Sequence, residues 1–204
     1  MSEPASNPID LWYDFSSPYA WMVVERIGDL AGAAGVTVRW RPLIIGPILR
    51  QRPDNPSPFQ NATPAQRAYR RRDVERLCAR YGLKLRWPTS YPRNSLLAAR
   101  VARAAADDVR PALSRAVFRA NFVEDREISD ATILRAVIAA QGLDADALLA
   151  AALAEDNKRG LMRDVDEAIA RGIFGAPSLL VGDELFWGND RLELAIDWAQ
   201  RPWL

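Results

Sequence analysis

The order of apolar runs and chain-breaking residues predicts an α/β fold in two β-containing halves with a large all-helical insertion between them. Three observations carry this. Residues 9–42 read as strand, helix, strand; residues 157–200 read as helix, two strands, helix; the interval between is alanine-rich and has no strand signal. The expected division is a discontinuous domain of residues 1–45 and 158–204, with an inserted helical domain of residues 46–157.

The elements follow in order. Residues 9–15 (Ile-Asp-Leu-Trp-Tyr-Asp-Phe) are apolar and β-prone, hence a strand. Ser17 suits an N-cap and Pro18 a first helical position, so a helix is expected over 19–34, with Trp21, Val24, Ile27, Leu30 and Ala31 on one stripe. Gly35 is its stop, and residues 36–40 form a second strand closed by Pro42. That length suffices for a right-handed parallel crossover. Residues 46–63 hold Pro47, Pro53, Pro56 and Pro58 and read as a loop or lid. Helices are expected over 64–81, 95–108, 111–122, 130–141, 144–154 and 157–171. Residues 178–181 and 184–187 flank Gly182-Asp183 as a hairpin. A last helix opens at Asp190, which with Glu193 has capping-box spacing.

Composition removes whole classes of chemistry. The 204 residues contain no histidine and one cysteine, Cys78. Histidine-based triads, dyads and zinc sites are therefore excluded, as is a dithiol redox motif within the chain. Cys78 lies in helical sequence and reads as a small packed residue. The first eight residues lack a basic and apolar leader, and no apolar run reaches membrane-spanning length, so a cytoplasmic protein with no membrane partner is expected. Net charge is +1, but residues 39–103 hold 15 basic against 3 acidic side chains, a local +12, while the remainder carries −11. This suits an anionic ligand or simply a solvated arginine-rich surface; no nucleic-acid recognition module is present.

The two β-containing halves together have the topology of a thioredoxin fold with a helical insertion. Where that fold starts its first helix with Cys-Pro-X-Cys, this chain has Ser17-Pro18-Tyr19-Ala20, within Asp14-Phe15-Ser16-Ser17-Pro18-Tyr19. Phe174-Gly175-Ala176-Pro177-Ser178 occupies the place of a cis-proline loop, and Phe186-Trp187-Gly188-Asn189-Asp190-Arg191 follows the hairpin. Pro92-Arg93-Asn94-Ser95 and Arg41-Pro42 add to the pattern. Together, over nearly the whole chain, these resemble the 2-hydroxychromene-2-carboxylate isomerases, relatives of the kappa-class glutathione transferases and of DsbA-like oxidoreductases.

The resemblance implies a glutathione-dependent isomerase of aromatic catabolism, cytoplasmic and dimeric, acting on a small aromatic carboxylate. By that likeness Ser17 would hydrogen-bond the glutathione sulfur, at a helix start where amides and dipole favour negative charge. Ala176 and Pro177 would offer backbone to the cysteinyl part, and Asn189 and Asp190 would reach the γ-glutamyl end. Trp187 would wall the pocket or pack as hairpin core. Asn94 and Ser95 would contact glutathione or the organic substrate, or one of them would cap the following helix. Tyr19 and Arg41, or one of Arg70-Arg71-Arg72, would meet the substrate, its carboxylate falling to an arginine. The family often has a lysine after the second strand, where this chain has only Arg50 and Arg52. The same serine chemistry also suits a kappa-like transferase or peroxidase, and the fold suits a non-catalytic glutathione- or peptide-binding module.

Overall fold

Every residue of β1 (Ile9–Tyr13) is buried, because both edges and both faces of this strand are covered. The computed structural model describes residues 7–51 and 62–202. β1 pairs in parallel with β2 (Val38–Pro42) and antiparallel with β3 (Ser178–Val181), and β3 pairs antiparallel with β4 (Glu184–Trp187). The sheet order is β2-β1-β3-β4. Gly182 takes φ 62° in the β3–β4 turn, a conformation that costs glycine little.

The period of two along β1 divides the core. Ile9, Leu11 and Tyr13 join the larger apolar cluster with α1 (Pro18–Ala33) and α9 (Leu192–Gln200). Trp12 points the other way, into a smaller cluster with α2 (Ile45–Leu49) and α8 (Glu155–Ala170). Asp10 shares that second face and is buried. Arg39 binds its carboxylate at 2.6 and 2.9 Å and Arg171 at 3.1 Å, which offsets the desolvation of the charge.

The helical layer consists of α3 (Pro64–Arg80), α4 (Leu96–Ala104), α5 (Arg110–Phe122), α6 (Ala131–Ala140) and α7 (Ala145–Leu153). It shares the larger core with the sheet. Phe15 packs on Phe118 at 4.7 Å, Trp21 stacks on Phe122 at 5.4 Å, and the Tyr13 hydroxyl bonds Ser114 Oγ at 2.7 Å. Removing Phe118 would cost about 3–5 kcal/mol from burial and cavity effects. No helix among the described residues is long and apolar enough to cross a membrane.

Several boundaries differ from the sequence reading. β1 ends at Tyr13 and β2 begins at Val38. Leu30 is exposed, because α1 turns its Ala31 edge inward instead. α4 stops at Ala104, where the Arg110 side chain donates to the carbonyls of Ala102, Arg103 and Ala105. Part of the expected loop is the helix α2, and residues 52–61 lie outside the described residues, Arg52 among them. The Asp190–Glu193 capping box does not form. Asp190 sits in a single 3-10 turn (Asn189–Arg191), α9 has no side-chain cap, and Glu193 pairs with Arg26 at 2.7 Å.

Cys78 is buried on α3, and burial pushes its thiol up to about 11, with nearby Glu75 adding to the shift. The thiol form therefore persists well above neutral pH. Ellman's reagent at pH 8 is expected to label the native protein slowly and to find one thiol at once in denaturant. Rapid native labelling would show that Cys78 is accessible.

A candidate active site at the start of the first helix

Ser17 is the N-cap of α1, with φ −91° and ψ 116°. Its Oγ accepts from Ala20 N at 3.2 Å and donates to the Ala176 carbonyl at 3.0 Å. The second bond spans the first and last thirds of the chain and ties the helix start to the loop before β3. The first turn of α1 carries no acidic side chain, so its amides keep their attraction for an anion.

The turn that presents Ser17 is organised by Asp14. This buried carboxylate accepts from Ser16 N and Ser16 Oγ, both at 2.7 Å, and from Ile45 N at 2.6 Å. Ser17 N donates to the Asp14 carbonyl at 3.0 Å. One residue thus fixes both the serine turn and the start of α2. An aspartate bonding its own backbone two residues on is a sequence-readable Asx turn. The Ile45 bond has no local signal.

The opposite wall is built by the loop leading into β3. The Ala176–Pro177 peptide is cis, Ser178 Oγ donates to the Gly175 carbonyl at 2.8 Å, and Gly188 N donates to the Pro177 carbonyl at 3.0 Å. Trp187 lies against Gly175 so closely that a Cβ there would stand 2.2 Å from the indole nitrogen. Phe174 packs on Trp187 at 4.9 Å. Gly188 has φ 112°, and a Cβ there would lie 2.6 Å from an Asp190 carboxylate oxygen. Glycine at this position therefore sets where Asp190 points.

These parts enclose a cavity of about 490 Å³. Ser17, Tyr19, Ala176, Pro177, Trp187, Asn189 and Asp190 all line it, joined by Ile45, Leu49, Tyr69, Arg70 and Phe174. Trp187 is half exposed and walls the cavity rather than filling a core. The Asn189 amide faces inward, bonded by Arg26 at 2.8 Å and donating to the Tyr81 hydroxyl at 3.2 Å, so its side chain braces the turn that carries Asp190. The Tyr19 hydroxyl donates to Asp73 at 2.9 Å. Burial, then the Asp73 carboxylate, push it well above the usual phenol range, so it stays protonated.

Two expected residues stand elsewhere. Asn94 is exposed and its Oδ1 accepts from Leu96 N at 2.9 Å, starting α4. The neighbouring Arg93 is buried and binds Asn121, whose amide reaches the Phe15 carbonyl at 2.9 Å. Arg41 lies between Asp10 and Glu167, each at 3.7 Å, with its guanidinium 5.3 Å from the Trp12 ring. It faces α8, because its strand neighbour Trp12 faces α8. Of the arginine run, Arg70 lines the cavity, Arg71 lies 4.8 Å over Trp87, and Arg72 pairs with Glu75 at 3.3 Å in solvent. Phe174 opens the proline-loop motif read from the sequence, whereas Ile45, Leu49 and Tyr69 carry no local sequence mark of a site; only the fold assembles them. Among the described residues no group of histidine, cysteine, aspartate and glutamate is placed to hold a metal ion.

Replacing Asp14 by Asn keeps the shape but exchanges one acceptor oxygen for a donor facing donors. Stability should fall by about 2 kcal/mol in denaturant titration. Unchanged stability would show that Asp14 does not hold the turn.

Known proteins share this architecture. The family model of the DSBA-like thioredoxin domain matches residues 8–197. The 2-hydroxychromene-2-carboxylate isomerase of Sphingobium xenophagum is 30% identical over 188 residues, covering 92% of this chain and 95% of that protein. The enzyme of the same name from Pseudomonas putida is 26% identical, covering 90% of each. A solved structure of such an isomerase superposes with TM-score 0.79 at 25% identity, over 91% of each chain. The serine-proline helix start, the proline loop and the glycine-set aspartate stand together in a chain of this fold, length and likeness: it belongs to the DSBA-like thioredoxin domain family and, within it, to the 2-hydroxychromene-2-carboxylate isomerases.

Proposed function

We propose that this isomerase uses glutathione to interconvert 2-hydroxychromene-2-carboxylate, or a close analogue, with its open trans-benzylidenepyruvate. The observation that carries the reading is Ser17. Its hydroxyl stands at a helix N-terminus whose first turn has no acidic side chain, 3.0 Å from the Ala176 carbonyl, in a cavity that both residues line.

The cavity suits a zwitterionic tripeptide thiol. Its volume lies in the usual ligand range. The Ala176 carbonyl would accept from a peptide N–H, as in short strand addition. The exposed Asp190 carboxylate suits an ammonium and the Arg70 guanidinium a carboxylate. Trp187 and Phe174 supply an apolar wall.

When bound, glutathione supplies a thiolate that adds reversibly to an electron-poor alkene carbon and so permits rotation about that bond. The chain's own part is electrostatic. Ser17 Oγ can turn its proton from the Ala176 carbonyl to a sulfur anion while still accepting from Ala20 N. The α1 amides hold negative charge there without a histidine base. Tyr19, kept protonated, acts as wall rather than base. A dithiol cycle within the chain is ruled out by Ala20 in the second cysteine position and by the burial of Cys78 on α3. A cytoplasmic location, where such a thiol stays reduced, and a homodimer belong to the same reading.

Calorimetric titration of reduced glutathione should saturate, and the S-methyl form should bind more weakly. Absence of binding at millimolar concentration removes the cofactor from the reading. Ser17→Ala should lower kcat/KM by about a hundredfold, as loss of one anion-stabilising donor does. Its stability should fall by only about 1 kcal/mol, the value of an N-cap. An unchanged kcat/KM would exclude Ser17 from the chemistry. Asp190→Asn and Gly188→Ala should each weaken glutathione about tenfold, the second because the new Cβ displaces the carboxylate. If Gly188→Ala binds normally, the position of Asp190 is not what recognises the cofactor.

A further inference from the structure

A groove of about 320 Å³ lies between α5, the turn after it and the last turn of α6, and shares no residue with the Ser17 cavity. Its floor is short-chained. Ala112 and Ala116 come from one face of α5, Val137 and Ala140 from α6. Its rim is cationic. Arg115 and Arg119 stand one turn apart on α5, and Arg126 follows from the turn. Glu124 is the one carboxylate that lines the groove with them.

Packing accounts for part of this arrangement. Arg119 Nε and Nη2 donate to the nearly buried Glu25 carboxylate at 2.8 and 2.7 Å, and Glu25 also accepts from Trp21 Nε1 at 3.3 Å. Arg119 Nη1 is left over. Arg126 Nη1 donates to Glu124 at 3.3 Å, which leaves its Nη2 for a ligand. Arg115 makes no ion pair among the described residues, yet its guanidinium has a seat. It lies beside Gly28 of α1, where a Cβ would stand 3.1 Å from Nη1. Glycine inside a helix costs about 1 kcal/mol against alanine. Here it makes room for a cation that has no counter-charge. The other acids of the turn are engaged, since Arg93 takes Asp125 at 2.5 Å and Glu127 at 3.3 Å.

We infer that this groove binds a phosphate monoester, its dianionic phosphoryl group held by Arg115, Arg119 and Arg126 and its organic part over the alanine floor. One guanidinium fork satisfies a planar carboxylate. A tetrahedral oxyanion offers three oxygens, which suits donors arriving from three side chains. Like charges one turn apart on a helix repel, and a dianion between Arg115 and Arg119 removes that cost. The volume takes a phosphoryl group with a small organic tail. The inference stands apart from the isomerase reading, because none of its residues lines the Ser17 cavity.

The test titrates the full chain, labelled with nitrogen-15, with glycerol 3-phosphate, inorganic phosphate and acetate, following amide shifts by NMR. Constant ionic strength removes general screening. Both phosphates should saturate, with shifts concentrated in residues 112–126 and 137–141, and should bind about tenfold more tightly than acetate. Arg115→Gln, which breaks no described ion pair, should weaken both phosphates about tenfold. Glu124→Gln should tighten both about threefold, because it removes the groove's carboxylate and releases Arg126. Arg72→Gln, an equal loss of charge on α3, should change neither affinity. No saturable shift, shifts centred on residues 17–20 and 188–190, or acetate binding as tightly as phosphate would each overturn the inference. So would equal weakening by Arg72→Gln and Arg115→Gln, or indifference to Glu124→Gln. If inorganic phosphate binds and glycerol 3-phosphate does not, the groove takes the free ion and the monoester assignment falls.

Discussion

The site depends on a buried carboxylate that has been given three donors and no room to exchange them. Asp14 leaves β1 where the sheet ends, and its side chain must be satisfied inside the protein. Ser16 supplies two of the donors and Ile45 the third. Meeting that demand bends the chain into the turn that sets Ser17 at the head of α1. It also brings α2, with Ile45 and Leu49, to the cavity's edge. The position of Ser17 is in this sense a consequence of satisfying its neighbour.

A second support reaches the same turn from the helical layer. Arg93, buried before α4, donates to the side chain of Asn121 at 3.1 Å and to the Asp125 carboxylate at 2.5 Å. Asn121 in turn donates to the Phe15 carbonyl. Around this chain of bonds Phe15, Trp21, Phe118 and Phe122 pack ring to ring. The insertion is therefore fastened to the serine turn both by aromatic burial and by a polar relay. Removing either side would leave buried groups unpaired, which is costlier than the bonds are worth.

The uneven charge of the chain resolves into distinct uses. Arg39 serves the buried Asp10, Arg93 serves Asp125, and Arg103 reaches Asp164 at 2.7 Å and Asn157 at 3.0 Å, crossing Gly160 where no Cβ would fit. Much of the positive excess in the middle of the chain is thus structural. Arg67 and Arg70 stand instead on α3, where they line the cavities beside it.

Much was legible without the structure. The apolar, β-prone run of residues 9–15, the serine-proline helix start and the Gly-Asp hairpin determined the fold class, because each is a local conformational preference written in adjacent residues, and the three spaced motifs carried the family resemblance. Absent histidine and a single cysteine set the bounds of the chemistry. Other features were decided only by tertiary contact. Asp190 reads from sequence as a helix cap, a ligand contact or both; Gly188 sets it at a cavity and Arg26 takes Glu193 away, so the capping box does not form. Arg41 looked like a ligand contact, yet strand register faces it to α8. Trp187 suits either core or wall by sequence; its seat over Gly175, half exposed at the cavity, makes it wall. The reason is common to all three: a side chain's role follows from which remote residues reach it first, and periodicity along the chain does not encode that.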